Sequence, residues 1–230
     1  MSEPASAIHI DHLPVRKSAR FAMLGAPSAA TREIWFVCHG YGQLAARFIR
    51  RFEPIATHER VIVAPEALSR FYTQPSAGEH SRGRQTGATW MTSEDRDAEI
   101  EDYVGYLNAL YDRILSHLER DRVVIRALGF SQGAATVSRW LAARYAVADQ
   151  VIVWSGSIGP ELTGSQISQF SRRGPMLIVS GDTDEYIPSA RVAEELKRLD
   201  ELAATYRHIT FEGGHDIDAD TLKQIADSPL

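Results

Sequence analysis

The stretch that decides the reading of this chain is Val123-Val124-Ile125-Arg126-Ala127-Leu128-Gly129-Phe130-Ser131-Gln132-Gly133, followed by Ala134-Ala135-Thr136-Val137-Ser138-Arg139-Trp140-Leu141-Ala142. The β-branched, apolar opening predicts a buried strand. The segment after Gly133 predicts a helix. Ser131 therefore stands on a sharp strand-to-helix turn inside a Gly-x-Ser-x-Gly pentapeptide, the context of a nucleophile elbow. The glycines have a steric reason: a turn this tight strains the serine backbone and leaves its neighbours no room for side chains. The new helix also starts here, so its first amide N–H groups point toward the serine.

A serine hydroxyl needs a base to take its proton, and that base needs an orienting carboxylate. Working outward along the chain, Pro175 to Gly181 predicts another apolar strand, with Asp182-Thr183-Asp184-Glu185-Tyr186-Ile187-Pro188 at its carboxyl end. A helix over Ser189 to Ala203, a strand over Tyr206 to Phe211 and the loop Glu212-Gly213-Gly214-His215 follow. Both aspartates and His215 thus fall on loops after strands, where open α/β sheets bind ligands. Either Asp182 or Asp184 satisfies this order, with Asp182 also suited to capping the turn that leaves the strand. Upstream, Ile34 to Cys38 predicts a strand that opens into His39-Gly40-Tyr41-Gly42. The Tyr41 and Gln132 backbone amides are the candidate oxyanion donors.

Together these segments resemble the phospholipase/carboxylesterase family of the α/β-hydrolase superfamily, which includes acyl-protein thioesterases and small bacterial carboxylesterases. The pieces that carry the resemblance are His39-Gly40-Tyr41-Gly42, Ala64-Pro65, Trp90, Gly129 to Gly133, Ser155-Gly156, Gly181 to Pro188 and Gly214-His215. It implies a mostly parallel sheet with helices on both faces, no large cap domain, and a Ser131, Asp184, His215 triad. Asp184 is favoured over Asp182 because it stands three residues before the Ile187-Pro188 pair, as the acid does in that family. The chain departs from the family pattern at Gln43 and at Met91-Thr92, where acidic residues are common. The activity implied is hydrolysis of carboxylic esters with short to medium acyl chains through an acyl-enzyme. Thioesters and lysophospholipids are the alternative substrates. A non-catalytic binding protein on the same fold is the opposing class.

The remaining features agree with one α/β domain over residues 1–230. The chain is 44% hydrophobic, with 30 acidic and 25 basic side chains for a net charge of −5. Scattered arginines in an acidic chain do not read as a nucleic-acid surface. No apolar run reaches transmembrane length, so no stable membrane insertion is expected. No signal peptide is visible, and the single Cys38 cannot form an internal disulfide. Cytoplasmic residence is the expectation. No cofactor is required, no metal constellation stands out, and the partner expected is a small-molecule ester; the sequence leaves the oligomeric state open.

Residues 1–24 are expected to hold N-terminal edge strands, one or two of them within 8–24. A helix is expected from about Leu44 to His58, bent or interrupted by Pro54. The segment 66–91 reads as a flap over the site, with Phe71, Tyr72 and Trp90 as pocket walls alongside Ile187; ordinary packing is the competing reading. Thr92 to Asp95 fits a capping box for the helix that follows. In that helix Ile100, Val104, Leu107, Tyr111, Ile114 and Leu118 form the core stripe, and Gly105 suggests a close approach. A C-terminal helix is expected over about Asp218 to Ala226.

Overall fold

A computed structural model describes residues 8–74, 85–170 and 173–230. The chain runs through β1 (Phe21–Leu24), β2 (Glu33–Cys38), α1 (Ala45–Phe48), β3 (Arg60–Pro65), β4 (Ser69–Tyr72), β5 (Thr86–Thr89), α2 (Arg96–Leu115) and β6 (Val124–Phe130). It continues through α3 (Gln132–Ala142), β7 (Gln150–Trp154), α4 (Gly164–Ile167), β8 (Met176–Gly181), α5 (Ser189–Glu201), β9 (Tyr206–Phe211) and α6 (Ala219–Asp227). Seven strands form one sheet in the order β1-β3-β2-β6-β7-β8-β9. β1 is antiparallel to β3, and every other neighbouring pair is parallel. This is the mostly parallel α/β sheet the resemblance implies. Among the described residues no cap domain stands over its carboxyl edge.

The strands are apolar on both faces because helices cover both. In β2, Ile34, Phe36 and Cys38 face one core with Tyr103, Leu107, Val137 and Trp140 from α2 and α3. Trp35 and Val37 face the other, with Phe48, Phe52, Leu222 and Ile225. The period of two along a strand splits the residues this way. Cys38 is fully buried, and burial pushes its thiol pKa up, so it acts as a small hydrophobe.

Several expectations need correction. Of the N-terminal segment only Phe21–Leu24 is strand; residues 8–20 are described without one, and 1–7 lie outside the described residues. The expected Leu44–His58 helix is one α turn followed by a 3₁₀ helix, Ile49–Ile55, that contains Pro54. Proline there removes an amide and crowds the preceding turn, which favours the tighter helix. The expected flap contains the antiparallel hairpin β4–β5, tied to the rest by a bridge between Gln43 and Ala88; residues 75–84 of the flap lie outside the described residues. α2 starts at Arg96 after Asp95 in the left-handed region (φ 52°), so the Thr92–Asp95 capping box does not form. Thr92 instead donates its amide to Glu99 at 2.5 Å. In the stripe, Leu107, Tyr111 and Ile114 are buried and Tyr103 joins them, while Ile100, Val104 and Leu118 are partly buried. Gly105 is exposed and a Cβ there would meet nothing within 4 Å, so no close approach explains it.

Candidate active site

The elbow is built by backbone sterics. Ser131 caps α3 with φ 54° and ψ −119°, outside the ordinary regions for an L-residue. Its amide donates to Trp154 O at 2.9 Å, which locks the turn to β7. The flanking glycines are demanded by contact: a Cβ on Gly129 would lie 2.2 Å from Gly133 O, and one on Gly133 would lie 2.2 Å from Cys38 O. No side chain fits at either position, as the pentapeptide reading expects.

The partners of Ser131 arrive from β8 and β9. His215 Nε2 lies 3.0 Å from Ser131 Oγ, and His215 Nδ1 lies 2.7 Å from Asp184 Oδ2. The other Asp184 oxygen accepts the Tyr186 and Ile187 amides at 2.9 and 2.8 Å. One carboxylate therefore caps its own loop and presents its second oxygen to the imidazole. Burial works to raise the Asp184 pKa, but the His215 hydrogen bond and the Ile187 and Tyr186 amides outweigh it, so the net shift is downward. Asp182 does not reach His215. It accepts the Gly213 amide at 2.9 Å, a tie across to the histidine loop in place of the local cap expected of it. The His215 ring sits between Phe130 and Tyr186, with centroids 4.9 and 5.0 Å away. Trp154 Nε1 donates to Asp216 O at 3.0 Å, and Arg51 pairs with Asp216 at 2.5 Å, fixing the residue after the histidine.

The loop after β2 packs against the elbow: a Cβ on Gly40 would lie 3.1 Å from Ser131 Cβ. Among the described residues neither the Tyr41 nor the Gln132 amide has a hydrogen-bond acceptor, whereas those of Gly42 and Ser131 do. Two N–H groups without an acceptor, one on the loop packed against the elbow and one on the residue after the serine, are what an oxyanion needs. The loop is held by a residue the sequence reading used only as a motif letter. His39 is fully buried, with Nδ1 2.8 Å from Gly40 O and Nε2 accepting the Ala67 amide at 3.1 Å. Only the neutral Nδ1–H tautomer satisfies both contacts. Burial pushes the His39 pKa down, against the smaller opposing pull of Gly40 O and Glu66. Trp90 supports the same loop: it is 2% exposed and its indole N–H donates to His39 O at 2.8 Å. It is a buried buttress of that loop. The Gln132 side chain donates to Thr89 Oγ1 and Met91 O and accepts the Trp90 amide, tying the elbow to β5.

The other expected pocket residues divide. Phe71 packs on the exposed Tyr41 ring at 5.1 Å, beside the loop that follows β2. Tyr72 alternates to the opposite face of β4 and is 61% exposed. Ile187 lines a small cavity of about 10 Å³ with Ser155, Val179 and Glu195 behind the acid loop. Among the described residues no group of three His, Cys, Asp or Glu side chains is arranged to hold a metal ion, and no helix is long and apolar enough to cross a membrane.

Solved structures share this fold over nearly the whole chain. A carboxylesterase from Mesorhizobium loti is 18% identical, with a TM-score of 0.66 over 92% of this chain and 95% of its own. Zea mays acyl-protein thioesterase 2 is 14% identical, with a TM-score of 0.63 over 91% and 96%. Esterase PE8 is 22% identical, with a TM-score of 0.58 over 90% and 96%. At these identities the likeness is one of fold. A search of curated protein sequences finds no match. The model of the phospholipase/carboxylesterase family matches residues 22–228, every strand of the sheet but the first residue of β1 included, and the chain belongs to that family.

Proposed function

We propose that this chain is a serine hydrolase of carboxylic esters and that Ser131, His215 and Asp184 carry its chemistry. The observation that supports this most is the unbroken line from Asp184 through both nitrogens of His215 to a strained, amide-flanked serine. His215 Nε2 takes the Ser131 proton as Oγ bonds to the acyl carbon, and the carbonyl oxygen becomes an oxyanion received by the Tyr41 and Gln132 amides. His215 then gives that proton to the leaving alcohol as the C–O bond breaks. A water, deprotonated by the same nitrogen, attacks the acyl-enzyme, and Ser131 leaves with its proton restored. Asp184, held anionic by its lowered pKa, keeps the His215 proton on Nδ1 and stabilises the imidazolium.

We assign short to medium acyl chains on small alcohols as the first substrates. In this reading Tyr41, Phe71 and Tyr186 stand near the reacting carbon and Trp90 acts from behind the loop. The test is hydrolysis of p-nitrophenyl esters of graded chain length, with thioesters and lysophospholipids as comparison substrates. Turnover of the short esters that disappears in Ser131→Ala is expected. No turnover of any panel member by the folded parent favours a binding protein instead.

A further inference from the structure

Glu66 follows β3 and its side chain is fully buried, yet it ends in a saturated carboxylate. Oε1 accepts from Arg20 Nε at 2.9 Å and Arg70 Nε at 2.7 Å; Oε2 accepts from Arg20 Nη2 at 2.8 Å and from the Ala45 amide at 3.2 Å. Two arginines thus converge on one anion, leaving one positive charge in excess. The carboxylate has no lone pair left for the remaining donors. Among the described residues, Arg20 Nη1 and both terminal nitrogens of Arg70 have no acceptor. Both side chains stay partly open to solvent, at 54% and 39% exposed.

These donors border a groove of about 760 Å³ between residues 18–21 and the β4–β5 hairpin, lined by Ser18, Arg20, Phe21, Leu44, Arg70 and Thr86. The groove is broad and open to solvent, so the charged donors along it, more than enclosure, would hold a ligand. Its lining combines the apolar Phe21 and Leu44 with the guanidinium groups of Arg20 and Arg70, whose fork geometry suits carboxylate and phosphate oxygens. The groove is separate from the serine. Phe21 pairs with Pro65, so it lies on the carboxyl edge of the sheet, but β1 is three strands from β6. Three spacings of about 4.8 Å set it about 14 Å from the elbow. Arg70 also projects from the face of β4 opposite to Phe71, which packs on Tyr41.

We propose that this groove is a second binding site, for a compact organic anion: a phosphate monoester or a carboxylate on a short apolar stem. Arg20 and Arg70 hold the head group and Phe21 and Leu44 pack on the stem. The ligand would join residues 18–21 to the hairpin whose other face supports the Tyr41 loop.

The test is calorimetric titration of the full chain carrying Ser131→Ala, so that binding is read without turnover and independently of the catalytic proposal. Phenyl phosphate, benzoate and benzyl alcohol present one stem with three heads. Saturable binding of at least one anion and none of the neutral alcohol is expected, and the preferred head separates phosphate from carboxylate ligands. Ser18 is exposed, so Ser18→Asp adds a competing carboxylate without touching either arginine–Glu66 pair. It should weaken the anion about tenfold or more, the scale of a charge-assisted contact, with an unchanged melting temperature. Arg70→Gln should do the same, provided thermal melting shows it folded. No saturable binding of either anion, or equal affinity with and without Ser18→Asp, overturns the proposal.

Discussion

The elbow and the acid–histidine side deliver their groups to the same point by different means. At the elbow the backbone decides. Ser131 is forced to φ 54°, and Gly129 and Gly133 are packed against main-chain atoms too closely for any Cβ. On the other side, side chains decide. Asp184 caps its own loop, Asp182 reaches Gly213, and Trp154 and Arg51 hold Asp216. The first design is all-or-none, because a main-chain clash cannot be relieved by a rotamer change. The second is graded, because each hydrogen bond is removable while the fold remains.

That contrast can be broken by substitution. On the acid–histidine side, the largest effect on turnover should come from Asp184→Asn. The new amide keeps an oxygen for the Tyr186 and Ile187 amides, so the loop survives, but its NH₂ group faces His215 and favours the wrong tautomer. A loss of roughly 10⁴-fold in kcat is expected with little change in melting temperature. Asp182→Asn, which retains an acceptor for Gly213, should stay near parental activity; the reverse pattern in steady-state kinetics overturns the assignment of the acid.

Gly133→Ala should act on the fold itself. The added methyl meets Cys38 O and His39 O, and a cost of about 3 kcal/mol or more is expected for an overpacked contact that is mostly main chain. Thermal unfolding would show it as a large drop in midpoint. A melting temperature close to that of the parent contradicts the steric account.

Acid should act through His39. Its folded-state pKa lies below its ordinary value of 6.5, so the unfolded chain takes up the proton first. The stability that neutral His39 contributes is complete above about pH 6.5 and is lost as pH falls toward the depressed folded value. Asp184 has the same sign, but its loss begins only below the ordinary carboxylate value of 3.8. Melting temperatures followed over roughly pH 5–8 should therefore decline on the acid side, and His39→Asn should remove that part of the slope.

Smaller steps sharpen the graded side. Trp154→Phe removes the N–H that holds Asp216 O while leaving most of the buried ring, and a loss of about 0.5–1.5 kcal/mol is expected. A few-fold fall in kcat with KM nearly constant would place that bond in the positioning of His215. Far from both regions, Gly105→Ala on the exposed face of α2 should raise stability by up to about 1 kcal/mol, since nothing opposes the new methyl.

The same contrast explains what was legible in the sequence. Backbone requirements leave local marks: glycines at fixed offsets around Ser131, and apolar runs for strands β2, β3, β6, β7 and β8. The sheet and the elbow could be read from these. Long-range side-chain contacts leave none. Nothing near His39 in sequence announces Ala67 or Trp90, which lie 28 and 51 residues away. Trp90 therefore read as a pocket wall when it is a buried support, and Asp182 read as a local cap when it bonds Gly213, 31 residues on. The β4–β5 hairpin leaves no mark in the sequence because Ser69–Tyr72 and Thr86–Thr89 are short and carry no long apolar alternation. Thr92 to Asp95 matched a capping motif by composition, but the side chain of Glu99 engages Thr92 and α2 begins later.

The most direct test of the central claim is reaction of the folded chain with a fluorophosphonate, read by intact mass and peptide mapping. A serine activated by His215 and Asp184 should give one adduct, on Ser131, with labelling abolished in Ser131→Ala and greatly slowed in Asp184→Asn. Labelling spread over several residues, or a parent that takes up no label while still folded, would contradict the account.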